Sequence, residues 1–172
     1  MNQVKKNRIA KCLIEAIQTK IAVDEETCKF ICDWIYTGEE AKNKEHFEVW
    51  EMVLKNYYPI DRPILFRATD FINDGKIESY TGRLFTARKF LRQCGEEGKL
   101  IICETSESIM PKEYEVQGNF RHTFFPLSKL LKNEMRIEES HFNKKFIEAY
   151  IGEDEYIMRT EIDYMFIYKK IN

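Results

Sequence analysis

The chain has 172 residues, 44% of them hydrophobic and 33% charged, so it carries enough apolar material for a core that needs neither disulfides nor a structural metal. With 27 basic against 29 acidic side chains the formal net charge is −2, which argues against a nucleic-acid partner held by bulk electrostatics, while a local basic patch, not visible as a run, stays open. Five irregularly spaced cysteines argue against a disulfide framework, three distant histidines give no zinc-like spacing, and no apolar run is long enough to span a bilayer.

Taken in chain order, the first part reads as helical. Over residues 8–21, Ile9, Cys12, Leu13, Ala16, Ile17 and Ile21 recur at helical spacing. Residues 1–6 lead into this amphipathic segment rather than into an apolar signal core, so a cytoplasmic protein is expected, with an injected effector as the alternative. Asp24 is a candidate N-cap for a second helix with a stripe of Cys28, Ile31, Trp34 and Ile35, stopped near Thr37 and Gly38. Cys28 and Cys32 stand on one face of that helix and read as buried thiols, with metal binding the lesser alternative. A third helix is predicted over 45–57, with Phe47, Trp50, Val53 and Leu54 on one face, ended by Pro59.

The texture changes at Pro63. Residues 64–68 read as a strand, Asn73, Asp74 and Gly75 as a turn, and 76–80 as a second strand. Thr81 can cap a helix over 83–94 that turns Leu84, Ala87, Phe90 and Leu91 inward. Residues 100–103 read as a buried strand, 104–118 as polar and irregular, and 120–125 as a strand. Helices are expected from Leu127 and over 141–150. Two strands over 155–160 and 163–168, joined by a tight connection, close the chain. The expected architecture is a single α+β domain: a helical N-terminal part, 1–60, packed on a split, mostly antiparallel sheet in a core of 61–172.

Three short elements stand in order along that core: Arg67 on a strand, Ser79-Tyr80-Thr81 before a helix, and Glu153-Asp154-Glu155 before a strand. In these residues the chain resembles the ADP-ribosyltransferase superfamily, in its branch with an Arg, then a Ser-x-Thr, then a Glu-x-Glu. The segment from Ser79 to Phe90, with an aromatic inside the Ser-x-Thr and an Ala-x-x-Phe on the helix, is similar to that family's strand-then-helix unit. The run Gly152-Glu153-Asp154-Glu155-Tyr156 is similar to the loop and strand that present its catalytic glutamate.

The resemblance implies NAD as substrate, no metal, and transfer of ADP-ribose to a protein side chain, with arginine the expected acceptor. Glu155 would be catalytic and Glu153 would serve the acceptor. Arg67, Ser79, Thr81 and Phe85 would make up the cofactor site, Ser79 by holding Glu155 in place through a hydrogen bond, with Phe85 or Tyr80 the options for the ring on nicotinamide. The chemistry suits those residue types. A guanidinium grips a diphosphate through paired, charge-assisted hydrogen bonds. Cleaving the nicotinamide–ribose bond builds positive charge on the ribose, which a fixed carboxylate stabilises. Crowded carboxylates raise one another's affinity for a proton, and the sequence does not say which one shifts. Small size and the lack of an additional domain suit a toxin-like effector of a phage or mobile element.

Each element also has an ordinary structural reading. A strand arginine is usually an ion-pair residue, and Ser79-Tyr80-Thr81 can be a strand end with an N-cap. Glu113-Tyr114-Glu115 is a second Glu-x-Glu, without a strong strand after it. The rival function is a non-catalytic protein with the same type of core that binds and blocks a host protein, its aromatic-rich helices supplying the surface. An NAD glycohydrolase with no acceptor protein would share the site. No nucleic-acid or membrane partner is expected.

Overall fold

The computed structural model describes residues 1–109 and 120–169. Its elements in chain order are α1 (Gln3–Thr19), α2 (Glu25–Tyr36), α3 (Lys44–Asn56), β1 (Ile64–Thr69), β2 (Ile77–Thr81), α4 (Leu84–Gln93), β3 (Lys99–Glu104), β4 (Phe124–Phe125), α5 (Leu127–Glu134), α6 (Lys144–Tyr150), β5 (Glu155–Arg159) and β6 (Phe166–Lys169). The fold is therefore α+β, with six helices and one six-stranded sheet among the described residues.

The chain divides into two compact units, Met1–Tyr57 with Pro126–Gly152, and Tyr58–Phe125 with Glu153–Asn172. The helical unit also takes in residues 126–152, where α5 and α6 add buried Leu127, Leu130, Leu131 and Ile147.

The helical unit is built from capped, one-sided helices. Asn2, Asp24 and Asn143 each accept a hydrogen bond from a main-chain N–H in the first turn of α1, α2 and α6. Asn43 and His46 form a reciprocal capping box at the start of α3. Ile9, Leu13, Ile31, Trp34, Val49, Trp50, Val53, Leu127, Leu130 and Ile147 are fully buried. Glu134, also buried, accepts from the Val23 N–H at 2.8 Å and the Ser140 hydroxyl at 2.6 Å, so its charge is satisfied.

The second unit holds the whole sheet, in the order β4-β5-β2-β1-β3-β6, and all the named pairs are antiparallel. One face carries a buried cluster of Leu65, Tyr80, Ile101, Cys103, Phe124 and Met158. The β1–β3 ladder is continuous over six residue pairs, whereas β1 and β2 are matched at one pair alone, Phe66 with Thr81. The sheet thus opens between its two central strands.

Several local expectations change. The strand expected over 120–125 shrinks to Phe124–Phe125, and α4 leaves Leu84 at 44% exposure. The last two strands are not neighbours. β5 lies between β2 and β4, while β6 crosses to the far edge beside β3, and a 3-10 turn at Ile162–Tyr164 takes up the first part of the expected strand. Hydrophobic alternation fixes which way side chains face but not which strand is the partner.

Candidate functional site

The site is built on β2 and β5. Their register sets Ser79 opposite Ile157 and Thr81 opposite Glu155. Alternation then puts Ser79, Thr81 and Glu155 on one face, with Ser79 and Glu155 as diagonal neighbours on adjacent strands. Ser79 Oγ donates to Glu155 Oε1 at 2.5 Å, a charge-assisted bond between residues 76 apart in sequence. Both residues are partly exposed.

The loop leading into β5 is tied to the end of β2 by two further bonds. Thr81 Oγ1 donates to the Glu153 carbonyl at 2.5 Å and accepts from the Arg83 N–H at 3.1 Å. The Gly82 N–H donates to the Asp154 carbonyl at 3.0 Å. Thr81 is therefore part of the site but not the expected helix cap: α4 starts at Leu84, its N-cap position is Arg83, and no side chain caps it. Asp154 takes a left-handed conformation, φ +53°, which aspartate tolerates better than most residues. That turn swings its side chain against Gly82, where an added Cβ would collide with Asp154 Oδ2 and crowd the Tyr156 ring.

Burial pushes the pKa of Glu153 above the ordinary glutamate value of 4.5, and the nearby Lys89 ammonium pulls the other way. A carboxyl shifted in that direction is a stronger base when ionised.

Arg67 is held on the opposite face. The pairing of Phe66 with Thr81 puts Arg67 level with Tyr80, and Glu78 faces the same way as Tyr80. Arg67 Nη1 donates to the Ser79 carbonyl at 2.8 Å, and Nη2 donates to Glu78 Oε1 at 3.1 Å. The two side chains of this ion pair are 7% and 6% exposed. Glu78 is satisfied further by Asn73 Nδ2 at 3.1 Å and by the Thr160 hydroxyl at 2.7 Å, and Thr160 in turn shares a hydrogen bond with the Tyr80 hydroxyl at 2.8 Å. Where the two central strands part, the guanidinium reaches the β2 main chain in place of a β1 backbone group. Burial pushes the Tyr80 phenol well above its ordinary value, and the ring points into the core rather than towards Ser79.

The structure therefore brings Ser79, Thr81, Glu153 and Glu155 together, and joins Arg67 to them through the Ser79 carbonyl. Phe85 stands apart. It lies in the first turn of α4 with 81% of its surface exposed and makes no ring contact among the described residues. Glu78 is the residue that sequence reasoning missed. The signal was present in the alternation of Ile77, Glu78, Ser79 and Tyr80, which turns a carboxylate inward beside the buried tyrosine.

Other candidates fall away from this site. His122 is 2% exposed, and burial holds its imidazole below the ordinary value, so it reads as a packed side chain. Glu113 and Glu115 lie outside the described residues, as does most of the irregular stretch in which a loop over the nicotinamide phosphate was expected. Among the described residues no group of three or more His, Cys, Asp or Glu side chains could hold a metal ion, and no helix is long and apolar enough to cross a membrane. No family model, curated protein or solved structure matches the chain.

Proposed function

We propose that the chain is a small mono-ADP-ribosyltransferase that cleaves NAD and transfers ADP-ribose to a protein side chain, arginine first. The observation that carries this reading is the Ser79–Glu155 hydrogen bond, which joins two short motifs that sequence order alone had linked. In the reaction the bond between nicotinamide and the ribose C1′ breaks, and nicotinamide leaves with the electron pair. Glu155, its orientation fixed by Ser79, faces the positive charge that develops on the ribose. The acceptor nitrogen bonds to C1′, and its proton passes to Glu153, whose raised pKa suits that role. Thr81 holds the loop that carries Glu153. Arg67 keeps the Ser79 main chain in place from the opposite face of the sheet.

The test is incubation with labelled NAD and a cell lysate beside Glu155→Gln. The wild type should release nicotinamide and label protein, and the variant should do neither. Absence of both from the wild type would end the reading, and free ADP-ribose as sole product would make the protein an NAD glycohydrolase. A second reading, a non-catalytic protein that binds and blocks a partner, is favoured by one observation. Arg67 is buried and already paired with Glu78, which leaves its guanidinium little surface for a diphosphate. Thermal unfolding with added NAD separates the two readings, since a binder of NAD gains stability by mass action and a pure interaction module does not.

A further inference from the structure

The formal charge of the chain is close to balanced, but its distribution around α4 is not. Between Glu78 and Glu96 there are four cations, Arg83, Arg88, Lys89 and Arg92, and no carboxylate. All four are exposed. On the helix, Thr86 and Ala87 are buried and Phe90 and Leu91 half-buried, which fixes the inner side. Phe85, Arg88, Lys89 and Arg92 stand at the i, i+3, i+4 and i+7 positions and so form one continuous outer face, about 10 Å long at the helical rise. Phe85, 81% exposed, sits at the N-terminal end of this cationic stripe.

The surrounding charges leave the stripe basic. Lys89 feels Glu153, which is partly buried at one end. Asp70 is engaged with the Gly95 N–H just past the other end, and Glu96 and Glu97 follow beyond it. No carboxylate among the described residues forms an ion pair with Arg88, Lys89 or Arg92. A field of this kind acts within about one Debye length, roughly 8–10 Å, so the net charge of −2 on the whole chain does not cancel it there.

We propose that this outer face of α4 is a docking surface for single-stranded nucleic acid, with Phe85 stacking on a base and Arg88, Lys89 and Arg92 holding the phosphates. Three cations alone would suit any polyanion. The bare phenyl ring beside them selects a partner that offers a flat ring next to each negative charge, which an acidic protein segment does not. A duplex keeps its bases stacked on one another and offers the ring nothing. This inference does not rest on the transferase reading, and it departs from the expectation, drawn from net charge, that no nucleic acid binds.

The experiment is fluorescence anisotropy with a labelled mixed-sequence oligonucleotide of about 12 nucleotides, within the span of a single-strand site. Wild-type protein should bind with an affinity that falls with salt at a log–log slope of about −2, the value for three phosphate contacts. The variant R88E/K89E/R92E should lose at least about tenfold in affinity with a flatter slope. Phe85→Ala should lose about fivefold or more with the slope unchanged, and Phe85→Tyr should restore binding. Single Arg88→Ala and Lys89→Ala variants, each lowering the slope, keep the test intact if the triple variant does not fold. No binding by the wild type, equal affinity for a polyglutamate peptide or for a duplex, or full affinity in Phe85→Ala would each overturn the proposal.

Discussion

Arg67 and Glu78, on adjacent strands, form an ion pair at 3.1 Å in which both side chains are more than nine-tenths buried. Removing one partner leaves an uncompensated charge in the core, whereas removing both does not. Glu78→Ala should therefore lower the unfolding free energy by about 3–5 kcal/mol in urea titrations. The double variant R67M/E78L should cost less than that single change. A loss below about 1 kcal/mol for Glu78→Ala would mean that water reaches the pair as it does at a surface.

Glu153 gives the protein a pH dependence of definite sign. Its pKa in the folded chain lies above the ordinary value of 4.5 because burial penalises the ionised form. Below pH 4.5 both folded and unfolded chains hold the proton and the penalty is absent; it grows as pH rises towards the shifted value. Glu153→Gln should thus melt at a higher temperature than the wild type at pH 7, and the difference should vanish near pH 4. A constant difference across that range would show that the carboxyl is not the cause.

His122 has the opposite sign. Burial lowers its pKa below 6.5, against the pull of Glu107 and Glu161, with Arg121 adding to the lowering and the Tyr164 main chain opposing it. Between that lowered value and 6.5 the unfolded chain takes up a proton that the folded chain refuses, so stability falls as the solution is acidified through this window. His122→Phe should flatten the profile there, as read by melting temperature between pH 5 and 7.

The thiols of Cys28 and Cys32 are unequal. Cys28 is buried, and its hydrogen bond to Cys32 raises its own pKa and lowers that of Cys32. Cys32, partly exposed, should therefore be more readily alkylated by iodoacetamide at mildly basic pH than Cys28. Replacing Cys28 with Ala should slow the reaction at Cys32 even as it uncovers it. Peptide mapping after brief labelling reads both outcomes.

Much of this molecule was legible in its sequence, for reasons that particular residues make plain. Asp24 and the Cys28, Ile31, Trp34 stripe fixed the start and inner face of α2, because capping and helical period are local properties. Ser79 and Glu155 met as their order suggested. Glu78 was not foreseen, because its meaning depends on a partner arginine across the opening of the sheet. The outer face of α4 was hidden for a related reason: its cations are interleaved with apolar residues, and only the helix collects Phe85, Arg88, Lys89 and Arg92 on one side. The paths of β5 and β6 to different places in the sheet were beyond reach, since strand order is set by long-range pairing and not by pattern.

The close approach of Gly82 to Asp154 has a consequence for how this sequence can drift over generations. The space a side chain at 82 would need is already filled by the carboxylate at 154, which its left-handed backbone turns inward. The two positions are coupled: alanine or serine at 82 would require the carboxylate at 154 to swing aside and the Tyr156 ring to give way, and a bulky residue at both should not be found in a working member of the lineage. Asp154 would then owe its place to the shape of the turn that carries Glu153 and Glu155, and not to any chemistry of its own.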